Sequence, residues 1–301
     1  MTNQHTVAAP ASVSGIGLHT GVKVNLRLCP APANTGVLFR RTDLEGFIIE
    51  AVSRNVARVS YATSLMKKGV LISTTEHLLS ALAGLDVDNV VVEIDNLELP
   101  ILDGSARPFV ELIMKVGIRP QRARRGFIRV LKPVEVVDGM KRLAVYPADV
   151  FRATYLIAFP HPLIGEQSVE FASGSSDYAS EIAPARTFGF LEELEMLRKN
   201  GLIRGGSLEN AVVLDRKGVI NPEGLRFPDE FCRHKLLDLI GDFSLLGHPL
   251  IGHVVAERAG HAMHAQMVSR LLRERASWKL VTAAEAAAKP VSEPDPVFAI
   301  N

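Results

Sequence analysis

The sequence predicts an α+β protein built in two halves, and three observations carry that expectation. The chain has 301 residues, enough for a sizeable core and for two domains of ordinary size. Each half mixes alternating runs with about two helix-period segments, without the strict strand–helix alternation of a doubly wound sheet. Between them lies RPQRARRG (119–126), polar and basic, which reads as a solvated linker. The expected domains are therefore 1–121 and 126–301.

Along the first half, VKVNLRL (22–28) and GVLFRR (36–41) alternate as strands, separated by Pro, Gly and Asn. STTEHLLSALAGL (73–85) has helical spacing, with Ser73 or Thr74 as its N-cap. NVVVEI (89–94) is a strand and SARPFVELIMKVG (105–117) a second helix. The second half restarts with FIRVLKPVEVV (127–137), KRLAVYP (141–147) and FRATYLIAF (151–159) as strands. LEELEMLRKNGL (191–202) is a short helix and AVVLD (211–215) a strand. PDEFCRHKLLDLIGDFSLLG (228–247) is a long helix, followed by HAMHAQMVSRLLRER (261–275).

Composition narrows the function classes. Hydrophobic residues make up 47% and charged residues 22%, the balance of an ordinary soluble globular protein. A net charge of +1 argues against a general nucleic-acid binder. No apolar run reaches the roughly 18 residues of a membrane helix. MTNQHTVAAPASVSG lacks the basic start and apolar core of a signal peptide. Two cysteines, Cys29 and Cys232, are too few for a disulfide framework, so a reducing cytoplasm is expected.

The residues that can carry chemistry cluster in RHKLLDLIGD (233–242). At about 100° per residue, His234, Asp238 and Asp242 fall within roughly 80° of one another on a helix. On spacing alone the ordinary reading is an amphipathic helix with a solvated polar face. A His and an Asp at i and i+4 can also bind one cation, and a catalytic zinc wants three such ligands with one position left open. His77 is a candidate third ligand. Its neighbour Glu76 would then stand where a general base is needed. HExxH and HxxEH are both absent, which excludes the common zinc-protease helices. Cys232 falls on the packing side, about 160° from His234, and is rejected as a ligand. Asp242 serves as a ligand or as the partner that orients a histidine, with His261 the candidate. Lys235 points about 100° from His234, toward an anionic substrate rather than a metal. Thr187, in ARTFGF, offers a hydroxyl donor, although most turn threonines bond only backbone. His5, His161, His248, His253 and His264 have no comparable setting and are read as structural. GIGLHTG (15–21) is not a dinucleotide fingerprint, and no phosphate-binding loop is present.

These blocks occur in a telling order: GIGLHTG, TTEHLLSALAGL, DNVVVEI, LPILDGSARPFV, ARTFGF, GGSLENAVV, NPEGLRFPDEFCRHKLLDLIGD and AGHAMHA. Together they closely resemble the UDP-3-O-acyl-N-acetylglucosamine deacetylase family, zinc enzymes of lipid A synthesis in Gram-negative bacteria. The match spans nearly the whole chain. The resemblance implies two similar α+β domains, each a β-sheet with two helices, with the helix layers facing and the zinc between them. It implies His77, His234 and Asp238 as zinc ligands, Glu76 as general base, and His261, held by Asp242, as the second catalytic residue. Thr187 matches the hydroxyl that contacts the reacting oxygen, and Lys235 a substrate contact. Lys141, Phe159 and His19 match positions at the nucleotide and sugar end. Residues 191–211 match an insert forming an apolar passage for the acyl chain, lined by Phe188, Leu191, Leu194, Gly206 and Ala211, with Leu18.

The implied reaction is removal of the N-acetyl group from UDP-3-O-(3-hydroxyacyl)-N-acetylglucosamine, releasing acetate. The implied protein is a cytoplasmic monomer with no nucleic-acid partner and no membrane span, compatible with a transient contact at a membrane surface. One departure stands out: GHAMHAQ places His264 where the family commonly has Asn. Two other readings stand beside this one. They are a zinc amidohydrolase of another N-acetylated substrate, and a non-catalytic protein that binds acyl chains or nucleotide sugars.

Overall fold

The computed structural model describes residues 3–59 and 61–287 and shows a mixed α+β architecture. In the first half, a five-stranded sheet runs in the order Ala11–Ile16, Lys23–Pro30, Val90–Ile94, Val37–Arg41, Phe47–Glu50. Its strands alternate buried and exposed side chains, as in Lys23–Pro30, where Val24, Leu26 and Leu28 point inward. A small sheet of Val56–Arg58, Ser64–Lys67 and Val70–Ile72 leads into helix α1, Glu76–Gly84. Helix α2, Arg107–Val116, buries Phe109, Val110 and Ile113, spaced for one helix face.

The second half carries a seven-stranded sheet. Val134–Asp138, Lys141–Tyr146, Leu250–Glu257, Gly126–Val130 and Trp278–Thr282 form its path, and Phe151–Phe159 with Gly165–Ala172 joins through Leu250–Glu257. Leu250–Glu257 pairs on both edges and is buried along almost its whole length, so both of its faces are covered. Five more helices follow α2 among the described residues: the single-turn α3, Tyr178–Glu181; α4, Leu191–Lys199; α5, Glu230–Phe243; α6, His261–Arg273; and the short α7, Ala283–Ala287.

Helix α1 lies directly against α5, so one helix layer faces the other. The crossing is close because Gly241 carries no side chain: a Cβ there would overlap the Glu76 carbonyl. The Ser80 hydroxyl donates to the Leu237 carbonyl at 2.8 Å, and the Tyr178 hydroxyl donates to Ser80 Oγ at 2.8 Å.

Several sequence expectations change. RPQRARRG is largely not a loose connection: Ile118–Arg124 is a strand paired antiparallel with Asn3–Val7. Arg119, Arg122 and Arg124 are all exposed, which gives a paired strand the polar composition of a linker. Arg125 is buried, with Nε donating to Asp88 at 2.7 Å and a second donor meeting Asp86. The run 127–137 splits into two strands around Leu131–Pro133, where Pro133 has no N–H to offer a ladder. Helix α1 starts at Glu76 rather than beside Ser73 or Thr74, and its N-cap position, Thr75, uses its hydroxyl to donate to the Thr63 carbonyl instead of to the helix. The long helix ends at Phe243, and a 3-10 turn, Ser244–Leu246, completes it. The end of the expected 126–301 domain, residues 288–301, lies outside the described residues.

Candidate active site and metal centre

A cleft of about 270 Å³ lies where α1 meets α5. Helix α1 brings Glu76 and His77 to it in its first turn, and α5 brings His234, Lys235 and Asp238. Leu18 and His19 enter from the loop after Ala11–Ile16, Thr187 and Phe188 from the ARTFGF segment, and His261 from the first turn of α6.

His77, His234 and Asp238 converge so that one ligand atom from each lies within 4.8 Å of the others. His234 Nε2 is 3.4 Å and His77 Nε2 3.8 Å from Asp238 Oδ1. All three residues are buried. His234 Nδ1 donates to the Ala185 carbonyl at 3.1 Å, which leaves the Nε2 lone pair facing the site. Asp238 divides its two oxygens. Oδ2 accepts from Lys235 Nζ at 2.8 Å, whereas Oδ1 is buried without a hydrogen-bond partner among the described residues. A buried carboxylate oxygen without a partner, aimed between two imidazole nitrogens, fits a divalent cation. Burial lowers the pKa of His77 to about 3, with His234 adding to the effect, and burial also lowers that of His234. Both rings are therefore neutral, the form that ligates. Burial works against the charge of Asp238, but His234, Lys235, His261 and His77 outweigh it and hold the carboxyl well below the usual range.

Glu76 sits beside this set. Burial pushes its carboxyl up to about 7; His261 opposes this, while Asp238 and Asp242 reinforce it. A carboxylate poised near neutrality suits a general base. Its Oε2 accepts the Thr63 backbone N–H at 3.0 Å. Across the cleft, His261 Nδ1 donates to Asp242 Oδ2 at 2.7 Å. Burial alone would lower the pKa of His261, but Asp242 and Asp238 raise it to about 9. Asp242 is held down at about 2, since His261 and His264 outweigh the cost of its burial.

A model of the LpxC family, UDP-3-O-acyl N-acetylglycosamine deacetylase, matches residues 4–273. The chain belongs to this family. A protein named UDP-3-O-acyl-N-acetylglucosamine deacetylase from Solibacter usitatus (strain Ellin6076) is 55% identical over 94% of this chain and 95% of its own. Proteins of the same name from Syntrophotalea carbinolica and Teredinibacter turnerae are 48% and 45% identical, covering 95% and 100% of this chain and 93% and 100% of their own.

The structure of this deacetylase-family chain brings most of the sequence candidates together. Leu18, His19, Glu76, His77, Thr187, Phe188, His234, Lys235, Asp238 and His261 all line the cleft, and Asp242 stands behind His261. Lys235 turns back to Asp238 while lining the cleft, because its long flexible stem reaches further round the helix than its Cβ direction suggests. Phe159 is one ring removed, its centroid 5.8 Å from that of Phe188. Lys141 is exposed at the start of a strand and is outside the lining. Leu191, Leu194, Gly206 and Ala211 are also outside it. Leu191 is exposed, whereas Gly206 packs near Leu18 and the chain before it is clipped to the first half by Arg204 N–H to the His19 carbonyl and Gly205 N–H to the Leu18 carbonyl. Cys232 is buried away from the site and donates to the Tyr155 carbonyl at 3.1 Å.

Three contributors escaped the sequence reading. Thr63 bonds both Glu76 and Asp242, yet YATSLM carries no recognisable signal. Glu98 accepts the backbone N–H of His19 and of Thr20 and the hydroxyl of Thr74, shaping GIGLHTG from behind. A Cβ on Gly17 would overlap its carboxylate. His264, read as structural, bonds Asp242; its place three residues after His261, on the same helix face, was the available clue.

Proposed function

We propose that this chain hydrolyses the N-acetyl group of UDP-3-O-(3-hydroxyacyl)-N-acetylglucosamine, releasing acetate and the free 2-amino sugar nucleotide, with Zn²⁺ as its metal. The single observation carrying the reading is Asp238 Oδ1, a buried carboxylate oxygen without a partner among the described residues, set between two neutral imidazoles and beside Glu76. His77, His234 and Asp238 would hold the ion. When bound, zinc supplies Lewis acidity toward the amide carbonyl and makes a nearby water more acidic.

The chain's own groups account for the remaining steps. Glu76 takes the proton from the attacking water as oxygen adds to the amide carbon. The Thr187 hydroxyl donates to the oxyanion that develops on the former carbonyl oxygen. The C–N bond then breaks, and the leaving nitrogen takes a proton from His261 Nε2, whose Nδ1–H stays on Asp242. His19, with both ring nitrogens buried and without partners among the described residues, offers hydrogen bonds to the sugar nucleotide, and Lys235 a positive charge to its phosphates. Phe159 and Lys141 extend that end of the site. Leu18, Phe188 and Gly206, followed outward by Leu191, Leu194 and Ala211, form the path for the acyl chain.

The test is acetate release by the purified chain, stripped with a chelator and titrated with Zn²⁺. Activity that vanishes on stripping and returns near one zinc per chain supports reaction and metal together. Zinc binding without acetate release overturns the substrate while leaving the metal site.

A further inference from the structure

The Asp242 carboxylate has more partners than holding His261 requires. Oδ1 accepts the Thr63 hydroxyl at 2.6 Å, while Oδ2 faces His261 Nδ1 at 2.7 Å and His264 Nδ1 at 2.8 Å. His264 is fully buried, and its Nε2 lies 3.2 Å from the hydroxyl of the equally buried Tyr155. Burial pushes the Tyr155 pKa well above its ordinary value, so the phenol keeps its proton.

These contacts determine where the protons sit. An ionised Asp242 only accepts, so each imidazole nitrogen facing it must carry hydrogen. A bare His264 Nδ1 would set a lone pair against a carboxylate. Burial also lowers the pKa of His264, so the ring is neutral and its proton is on Nδ1, which leaves Nε2 to accept from Tyr155. A cation among Asp242, His261 and His264 would require the same atoms, which lie within 4.8 Å of one another. Every one of them already has a short hydrogen-bond partner, unlike Asp238 Oδ1.

We propose that His264 is a positioning residue: its Nδ1–H, backed by the Tyr155 hydroxyl, locks Asp242 so that His261 presents Nε2 to the cleft. The inference rests on the function proposed above, because that reaction is the one His261 would serve.

Two measurements test it on the full chain loaded with Zn²⁺. Nitrogen-15 NMR of the histidine-labelled protein reads the His264 tautomer with no substrate present. A proton on Nδ1 and a bare Nε2 are expected; the opposite tautomer overturns the proposal. Steady-state acetate release then compares variants. His264→Leu keeps bulk but removes the donor, and should lower kcat by roughly 10–100-fold with little change in KM. His264→Asn keeps an N–H aimed at Asp242 and should recover most of that loss. An unchanged kcat in His264→Leu, or an equal fall in both variants, defeats the positioning role. Should His264→Leu fail to fold, Tyr155→Phe replaces it: a mixed His264 tautomer and a lowered kcat are expected, and an unchanged tautomer and rate count against the proposal. A wild type that releases no acetate defeats the functional reading instead, and the tautomer measurement still decides the geometry.

Discussion

Glu76 and Thr63 illustrate how single residues divide the work. Glu76→Gln removes the proposed base but leaves His77, His234 and Asp238 untouched, so it should cost about 10²–10⁴-fold in turnover while metal content stays near one per chain. Parallel assay of acetate and bound zinc checks this, and loss of zinc would remove Glu76 from the base role. Thr63→Val deletes the donor on Asp242 Oδ1 but keeps the backbone N–H on Glu76. Leaving that buried oxygen unpaired should cost about 1–3 kcal/mol in denaturant unfolding and slow turnover as well. The pH profile follows from the same groups. In the proposed reaction Glu76 must be ionised and His261 protonated, so kcat/KM should rise as pH passes through the Glu76 pKa and fall as it passes through that of His261. Without a cation those values are about 7 and about 9. A bound cation favours the deprotonated form of each and moves both limbs to lower pH. His261→Ala should lose the alkaline limb along with most of the rate.

At the scale of elements, the crossing of α1 and α5 is the decisive contact, and Gly241 permits it. Gly241→Ala would drive a methyl group into the Glu76 carbonyl and push the helices apart. A loss of about 1–3 kcal/mol is expected, with kcat falling because Glu76 and His77 move away from His234 and Asp238. Thermal unfolding and acetate release measure the two effects, and a variant as stable and active as the wild type would show that the helices have room to spare. The ARTFGF segment is pinned in a comparable way: Glu230, fully buried at the start of α5, accepts from both the backbone N–H and the side chain of Arg186. Thr187 and the Ala185 carbonyl that orients His234 are therefore placed by the same helix that carries His234. The helices were legible in the sequence because their apolar spacing is strong. The strand Ile118–Arg124 was not, because a ribbon whose arginines are exposed without regular alternation has the composition of a linker. Pro133 was visible in the run 127–137, but its consequence depended on which neighbours the flanking strands would meet.

On the scale of the whole molecule, the proposed metal-ligand set spans both halves: His77 comes from the first, and His234 and Asp238 from the second. A cation bound there should stabilise the folded chain by about 2.7 kcal/mol at a free concentration of about 100 times Kd. Chelation should accordingly lower Tm, and Zn²⁺ should restore it at one equivalent; a Tm indifferent to zinc would argue against a site shared across the helix layers. The sequence by itself determined the α+β class, the helix carrying His234, Asp238 and Asp242 on one face, and the adjacent Glu76 and His77. Those features depend on local periodicity and short spacing, which the chain carries wherever it folds. Only the tertiary structure decided that the two helices meet, that Lys235 turns back to Asp238, and that Thr63 and His264 converge on Asp242. Such contacts join residues up to 179 positions apart, as Thr63 and Asp242 are. The helix crossing and the Thr63–Asp242 bond exist only once close packing across Gly241 brings one helix layer against the other, whereas Lys235–Asp238 forms within α5 and His264–Asp242 between α5 and α6.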